Sequence, residues 1–347
     1  LRSGIYAFNL VQKRGKRPAG APDKSLARPV TKVGVVGAGL MASQLALLFL
    51  RRLEVPVVLT DLDQERADKG VAYVHAEIDK LLAKGRVTQD KANRYKGLVT
   101  GVVDKSEAFA DADFVIEAVF EEMGVKKQVW AEVEAIVSAE CVLATNTSSL
   151  SITEMGDATL RPDKVVGFHF FWPASVMRLV EVIEGDETSE DTMQAAANFA
   201  QAIRKQPITC GEVPGFVVNR ILNSAVGEIW RAQEEQGLSI KKIDEQIQGA
   251  NLAPMGPFFL VDQLGLDTVL HVAEHLENEL GDRFYVHKGM QNLVSQKKLG
   301  AKTGYSGFYE EGKAQIPGDA APPEELPDLM SLKAIVEACL VLEEGVA

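Results

Sequence analysis

The chain has 347 residues, 46% of them hydrophobic and 25% charged, and its formal net charge is -12 at pH 7. These values are typical of a folded globular protein that is long enough for two domains, each with its own core. The net negative charge argues against a nucleic acid or an anionic membrane as a partner, because binding phosphates over a surface requires an accumulated positive field.

Cysteine usage and hydropathy indicate where the protein works. Cys141, Cys210 and Cys339 are far apart and form no CxxC pair, so neither a disulfide framework nor a cysteine zinc site is indicated. No apolar run approaches the roughly 18 residues that span a bilayer, and the first residues lack the order of a signal peptide. We expect a cytoplasmic protein. Because the chain starts at Leu1 and residues 336–347 resemble an interrupted helix, we also expect a fragment of a longer polypeptide.

In chain order, the pattern predicts a helix and a linker over residues 1–30 and then two domains. Between residues 31 and 212, strand-like runs such as VGVVGAG, VPVVLTD, ADFVIEAV and CVLATNT alternate with polar helical patterns. This alternation predicts a Rossmann-type α/β domain, a parallel sheet covered by helices. Longer helical periods over residues 213–312 predict a mainly α-helical C-terminal domain. Residues 313–347 predict a Pro-rich linker and the start of a second helical repeat.

The first strand is followed by a dinucleotide-binding pattern. Its residues, Gly37, Ala38, Gly39, Leu40, Met41 and Ala42, fit GxGxxG/A between a strand and a helix. The first glycine permits a tight turn, the second lets the backbone approach a pyrophosphate, and the alanine allows close helix packing. Asp61 ends the next strand, where a carboxylate accepts hydrogen bonds from a ribose 2′-hydroxyl and repels a 2′-phosphate. The sequence therefore predicts NAD rather than NADP as the cofactor.

Two strand-like runs carry a histidine and a glutamate twelve residues apart, His169 in VVGFHFF and Glu181 in LVEVIEG. On neighbouring strands these side chains can meet, which gives a base that titrates near neutral pH and a carboxylate that orients its ring. A single histidine in a strand is more often a satisfied core residue. The dinucleotide pattern favours the catalytic interpretation.

Seven motifs together resemble the L-3-hydroxyacyl-CoA dehydrogenase family over about residues 31–310. They are GAGLM, ADFVIEAVFEE, NTSSL, HFFxPxxVMxLVEVI, PGFVVNR, PMGP and KTGYSGFY. The flanking segments resemble the surroundings of this domain in the multifunctional α-chain of bacterial fatty-acid oxidation complexes. The resemblance implies NAD-dependent oxidation of (S)-3-hydroxyacyl-CoA to 3-oxoacyl-CoA in β-oxidation. It also implies an acyl-CoA substrate, a fused enoyl-CoA hydratase domain, a thiolase subunit as a partner, and self-association through the helical domain.

The resemblance also implies roles for particular residues. His169 would remove the proton of the 3-hydroxyl group and Glu181 would orient its ring. Ser148 of NTSSL and Asn219 of PGFVVNR match positions that contact the reacting part of the substrate. Both residues also fit structural roles, since Ser148 lies near a helix start and Asn219 lies in an apolar helix.

Several lysines and one glutamate remain ambiguous between a ligand contact and a solvated charge. Glu121, Lys126 and Lys302 match family positions that contact the cofactor. Lys80 and Lys84 lie one turn apart on the helix predicted after Asp61, where they can meet the phosphates of CoA. Each of the five, taken alone, is also typical of a solvated surface.

One departure from the family pattern bears on activity. Trp172 stands where the family has Asn in HFFNP, and the following residues of that loop differ as well. A bulky ring with one donor replaces an amide, so a contact near the nicotinamide is lost or rebuilt. Two alternatives stay open: a non-catalytic scaffold domain, and a related dehydrogenase of a small hydroxy acid. His271 and His275 match HxxEH, but this spacing arises by chance on an amphipathic helix, and we assign no metal.

Overall fold

The computed structural model describes residues 29–347 and, upstream of them, only Ile5, Tyr6, Phe8 and Asn9. The predicted helix and linker over residues 1–30 lie almost wholly outside the described residues. The chain divides into two compact units between Glu212 and Val213.

The first unit is built on one sheet of eight strands. The strands are β1 (Val33–Val36), β2 (Val57–Thr60), β3 (Val99–Gly101), β4 (Phe114–Glu117), β5 (Val142–Thr145), β6 (Val165–Phe170), β7 (Leu179–Glu184) and β8 (Gln206–Gly211). Their order across the sheet is β3-β2-β1-β4-β5-β6-β7-β8. The strands β1 to β6 pair in parallel, which confirms the predicted Rossmann-type α/β class.

The last two strands depart from the predicted parallel sheet. Strand β7 is antiparallel to β6, and β8 is parallel to β7. The physical reason is the length of the connection, because residues 171–178 are too few for the crossover that a parallel neighbour requires. The chain therefore turns back directly along β6.

Helices follow most strands of this sheet. They are α1 (Leu40–Leu53), α2 (Gln64–Ala83), α3 (Gln89–Leu98), α4 (Lys105–Phe109), α5 (Met123–Glu134), α6 (Ile152–Gly156) and α7 (Glu190–Ala202). Helix α1 is buried continuously from Ala42 to Leu50, which explains its almost uninterrupted apolar sequence. The core of the unit combines α1, the strands and aromatic side chains such as Phe114, which stacks on Phe199 with ring centroids 4.0 Å apart.

The second unit is mainly helical, as the sequence predicts. Its elements are α8 (Val218–Gln236), α9 (Ile240–Gly249), α10 (Pro257–Leu264), α11 (Leu266–Leu280), α12 (Lys288–Ser295), α13 (Leu326–Glu343) and a hairpin of β9 (Tyr309–Glu310) and β10 (Lys313–Ala314). Helix α13 packs along α8. None of the helices in the described part of the chain combines the length and apolarity that crossing a bilayer requires.

Candidate active site

Most of the candidate residues lie at one edge of the sheet. The glycine motif follows β1, Asp61 follows β2, the segment with Glu121 follows β4, and NTSSL follows β5. Parallel strands place their carboxyl ends at the same edge, which is where ligands bind in sheets of this kind. His169 is the fifth residue of β6. The antiparallel β7 begins at this edge, so Glu181 joins the same group.

The glycine motif has the geometry that a diphosphate requires. Gly37 has φ +104°, and a Cβ there would lie 2.8 Å from the carbonyl oxygen of Ala118. Gly39 is the N-cap of α1, and a Cβ at Gly39 would meet nothing within 4 Å. Within the described chain, no side chain caps the N-terminus of α1 and its first turn carries no acid. Its first N–H groups can therefore meet a pyrophosphate.

Asp61 is held beside this motif by its own carboxylate. Oδ2 accepts a hydrogen bond from the Ala38 N–H at 2.8 Å, and Oδ1 accepts one from the Leu62 N–H at 2.7 Å. A carboxylate fixed at the end of β2 suits a ribose hydroxyl and opposes a phosphate. The residues present therefore fit NAD.

Lys126 lies in a buried ionic network behind this edge. Its side chain is fully buried, and Nζ donates to Glu117 Oε1 at 2.7 Å and Oε2 at 2.9 Å, with Glu121 Oε2 at 3.1 Å. Glu117, itself fully buried, also accepts from the Thr145 hydroxyl. The interpretation of Lys126 as a solvated charge is therefore wrong.

Glu121 extends this network to the candidate substrate serine. Its Oε1 accepts hydrogen bonds from the Thr147 hydroxyl at 2.5 Å and from the Ser148 N–H at 2.8 Å. Burial by itself raises the pKa of Glu121, but the Lys126 ammonium and these donors outweigh burial and hold that pKa below its usual value. Glu121 therefore stays ionised and fixes the backbone of Ser148.

The alternative role of Ser148 as a helix cap is not observed. Helix α6 is capped by Ser151, whose hydroxyl accepts from the Glu154 N–H at 3.0 Å. The hydroxyl of Thr147 accepts from the N–H groups of Ser149 and Leu150. Thr147 and Ser151 thus accept the hydrogen bonds from the backbone N–H groups of this turn.

His169 and Glu181 face each other directly across β6 and β7. They are register partners in the antiparallel pair, and His169 Nδ1 lies 2.7 Å from Glu181 Oε2. Both side chains are buried, with 5% of His169 and none of Glu181 exposed. A carboxylate at this distance requires Nδ1 to carry the proton, so Nε2 is the basic nitrogen of the ring.

Trp172 lies just beyond this pair, in the loop of residues 171–178. It is 44% exposed, whereas Trp130 and Trp230 are buried. The N–H of Phe170, the last residue of β6, donates to Asn146 Oδ1 of NTSSL at 2.9 Å. The loop thus starts from a fixed point beside the candidate substrate segment.

The remaining candidates, Asn219, Lys302, Lys80 and Lys84, are not among the residues at this sheet edge in the first unit. Asn219 and Lys302 belong to the second unit, where Lys302 Nζ donates to Asp267 Oδ1 at 2.8 Å and to Thr268 Oγ1 at 2.7 Å. Asn219 is the second residue of α8. Lys80 is exposed and pairs with Glu77, and Lys84 is the C-cap of α2. At about 1.5 Å per residue, Lys80 lies roughly 24 Å along α2 from Gln64.

The residues that support the candidate ones were not predicted, although their sequence context carries a signal. Glu117 escaped notice although an acid in the apolar strand FVIE is a signal of a paired buried charge. Lys126 precedes Val129, Trp130 and Val133 by three, four and seven residues, the spacing of the buried face of α5. The helical spacing of these residues therefore predicts that Lys126 is buried.

The Rossmann-type sheet, its glycine motif, the acid that ends β2 and the His–Glu pair define the class of NAD-dependent oxidoreductases. Two family profiles match in series: "3-hydroxyacyl-CoA dehydrogenase, NAD binding domain" over residues 32–213 and "3-hydroxyacyl-CoA dehydrogenase, C-terminal domain" over residues 215–311. The chain belongs to the 3-hydroxyacyl-CoA dehydrogenase family.

Individual relatives agree with this assignment. A 3-hydroxybutyryl-CoA dehydrogenase of Clostridioides difficile is 38% identical over 81% of this chain and all of its own length. The crystal structure of (S)-3-hydroxybutyryl-CoA dehydrogenase from Ralstonia eutropha matches with a TM-score of 0.76 and 36% identity, covering 82% of this chain and 100% of that one. A fatty acid oxidation complex subunit alpha of Psychrobacter cryohalolentis is 34% identical over 86% of this chain. The chain spans only 42% of that last protein.

Proposed function

We propose that this chain oxidises (S)-3-hydroxyacyl-CoA to 3-oxoacyl-CoA, with NAD+ converted to NADH and one proton released. The observation that carries the proposal is the buried His169–Glu181 pair, 2.7 Å apart, at the sheet edge that also holds the glycine motif. The family membership of both units supports it.

The residues of the pair divide the proton chemistry between them. NAD+ held by the glycine motif and Asp61 would supply the acceptor for the hydride that leaves C3 of the substrate. His169 takes the proton of the 3-hydroxyl group at Nε2 as the carbonyl forms. Glu181 Oε2 holds the Nδ1 proton and stabilises the imidazolium that results. Two buried groups in fixed register therefore perform the acid–base step.

The other candidates bind and orient. We propose that Ser148 and Asn219 contact the reacting part of the substrate and that Glu121 and Lys302 contact the cofactor. The hydrogen bonds from Thr147 and Ser148 to Glu121 support a fixed position for NTSSL. Lys126 acts through Glu117 and Glu121, which surround its ammonium. A CoA contact for Lys80 and Lys84 is part of the proposal, and their positive charge supports it.

We further propose that the protein is cytoplasmic and works in a fatty-acid β-oxidation complex, with a fused enoyl-CoA hydratase domain and a thiolase subunit. The similarity to fatty acid oxidation complex subunits supports this assignment. Self-association through the helical unit belongs to the same proposal.

One observation favours a second candidate, a domain that binds partners without catalysis. Trp172 occupies, half exposed, the loop position where the motif HFFNP has an amide. An indole cannot accept a hydrogen bond, so it cannot replace both functions of an amide near a nicotinamide. A scaffold domain tolerates this change, whereas an active dehydrogenase must accommodate it.

The test is to follow NADH oxidation with acetoacetyl-CoA, with free acetoacetate and NADPH as parallel controls. The proposal predicts rapid turnover that needs both the CoA thioester and NADH. Equal turnover of free acetoacetate would instead indicate a dehydrogenase of small hydroxy acids. A folded protein that turns over neither substrate and fails to bind NADH would indicate the scaffold.

A further inference from the structure

Residues 171–178, which we term the His–Glu loop, join the catalytic histidine strand to the glutamate strand. The loop is fixed at Ala174, which is fully buried. The Ala174 N–H donates to Gln44 Oε1 at 2.9 Å, and the Ala174 carbonyl accepts from Lys205 Nζ at 2.5 Å. Lys205 Nζ also donates to the carbonyl of Met177. Both backbone groups of one loop residue are thus held by side chains from other elements.

These two side chains come from parts of the unit that are distant in sequence. Gln44 lies in α1, the helix that begins at the glycine motif, and is 7% exposed. Lys205 lies between α7 and β8 and is 6% exposed. The loop is therefore tied to the cofactor helix on one side and to the end of the sheet on the other.

The lysine is an unfavourable choice for a purely structural contact. Its ammonium is buried against carbonyl oxygens and lies 5.9 Å from the centre of the Phe170 ring. Burial, together with the nearby Arg52 guanidinium, lowers the pKa of Lys205 to about 8. Removing a cation from water costs free energy unless its N–H donors form hydrogen bonds in the protein. Here the donors determine where the His–Glu loop lies.

We propose that Gln44 and Lys205 are positioning residues of the dehydrogenase site, an inference that rests on the proposed function. By holding Ala174, they fix the His–Glu loop, and Trp172 with it, relative to the helix that begins at the dinucleotide motif. Occupation of the motif by NADH is then coupled to the surroundings of Trp172. The tryptophan is accommodated because its loop is held in one arrangement.

Trp172 itself is the probe for the test. The chain has three tryptophans, and Trp130 and Trp230 are at most 1% exposed, so acrylamide quenches mainly Trp172. The variants are Lys205→Met and Gln44→Met, with Gln44→Glu as the conservative variant that keeps an acceptor for the Ala174 N–H. Lys69→Met, at a lysine with 71% of its side chain exposed, is the matched control.

In the wild type and in Lys69→Met, we expect NADH to protect Trp172 from acrylamide. We expect Lys205→Met and Gln44→Met to lose this protection and to raise the KM for NADH by about tenfold, with kcat changed much less. Gln44→Glu restores both properties. Unchanged quenching and KM in both methionine variants would overturn the proposal, and so would a loss of kcat alone.

The test separates failure of this inference from failure of the proposed function. Quenching and NADH binding are measured without an acyl-CoA, so they report on the loop even if acetoacetyl-CoA is not reduced. If Lys205→Met fails to fold, Gln44→Met still tests the proposal. This variant removes one neutral hydrogen bond to Ala174, so we expect it to fold. If NADH does not bind, acrylamide quenching of the proteins without NADH is compared instead. Release of the loop would expose Trp172 more in the methionine variants than in Lys69→Met. Equal exposure would contradict the proposal.

Discussion

Lys126 influences the site through the carboxylates around it. Its ammonium contacts Glu117, which is fully buried, and Glu121, which is half-buried. The Lys126 ammonium lowers the pKa of Glu121, and the ionised Glu121 can then hold the Ser148 N–H. Because the pKa of Glu121 is lowered in the fold, this stabilisation is present above the usual glutamate range and is lost as the pH falls through the lowered value.

Replacing this lysine should therefore destabilise the protein strongly. We expect Lys126→Met to lower the free energy of unfolding by about 3 kcal/mol or more, since it leaves two neighbouring carboxylates without their cation. The measurement is urea denaturation at pH 7. Lys127→Met is the matched control, because Lys127 is the next residue and pairs near the surface with Glu154. An equal fall in the free energy of unfolding in Lys126→Met and Lys127→Met would contradict a stabilising role for the buried ionic network.

Asp61 should decide between the two nicotinamide cofactors. Asn at this position still accepts from the Ala38 N–H but carries no charge, so it no longer repels a 2′-phosphate. We expect Asp61→Asn to lower the preference for NADH over NADPH by about tenfold or more. The ratio of kcat/KM for the two cofactors measures this. Asp63→Asn, which keeps the N-cap of α2, should leave the ratio unchanged.

Sequence reasoning at this scale found residues that carry a motif and missed those that support them. His169 and Glu181 stand in recognisable strands, so the pattern predicted that they could meet if those strands were neighbours. Gln44 and Lys205 contact Ala174 from 130 and 31 residues away, and no local spacing connects them. Their contact depends on where the chain places α1 and β8, which only the tertiary structure determines.

At the scale of elements, the direction of β7 matters most. The sequence shows a strand but not its orientation, which depends on the length of the connection. Eight residues force β7 back along β6, and the resulting register sets His169 opposite Glu181. The parallel arrangement that the alternation predicted would not give this register. The departure from the expected sheet is therefore what brings His169 and Glu181 together.

The two strands that the sequence patterns did not reveal, β3 and β8, are the edge strands of the sheet. Strand β3 has only three residues, and one of them is Gly101. Strand β8 contains Pro207, which is tolerated at an edge because it cannot donate to a second neighbour. Edge strands bury one side less completely, so their hydrophobic pattern is weak.

Helices α13 and α8 share a buried ion pair within their packed interface. Arg220 is fully buried, and its Nε lies 2.6 Å from Glu337 Oε1. We expect Glu337→Gln to lower the free energy of unfolding by about 1 to 2 kcal/mol, because the guanidinium loses its buried carboxylate partner but keeps Glu344, whose Oε2 lies 2.7 Å from Nη1. Denaturant unfolding of the whole chain measures it. An equally large effect of the control Glu343→Gln, at an exposed site on the same helix, would contradict this assignment.

At the scale of the whole molecule, fold class and family were readable from the sequence because the motifs lie on the elements that define the site. The glycine motif, NTSSL and the His–Glu strands each mark the carboxyl end of a strand or its antiparallel partner. Parallel topology brings such ends together without any further information. The net charge of -12 agrees with a site that receives its phosphates on backbone N–H groups instead of a basic surface.

In the proposed reaction, the His169–Glu181 pair transfers the proton that accompanies hydride exchange with NAD. The most direct test is the kcat for acetoacetyl-CoA reduction by NADH in the wild type and His169→Asn, together with the Kd for NADH. We predict a fall in kcat of about 100-fold to 10,000-fold with an unchanged Kd, because the ring moves a proton and does not hold the cofactor. A His169→Asn protein that reduces acetoacetyl-CoA at the wild-type rate would contradict the account.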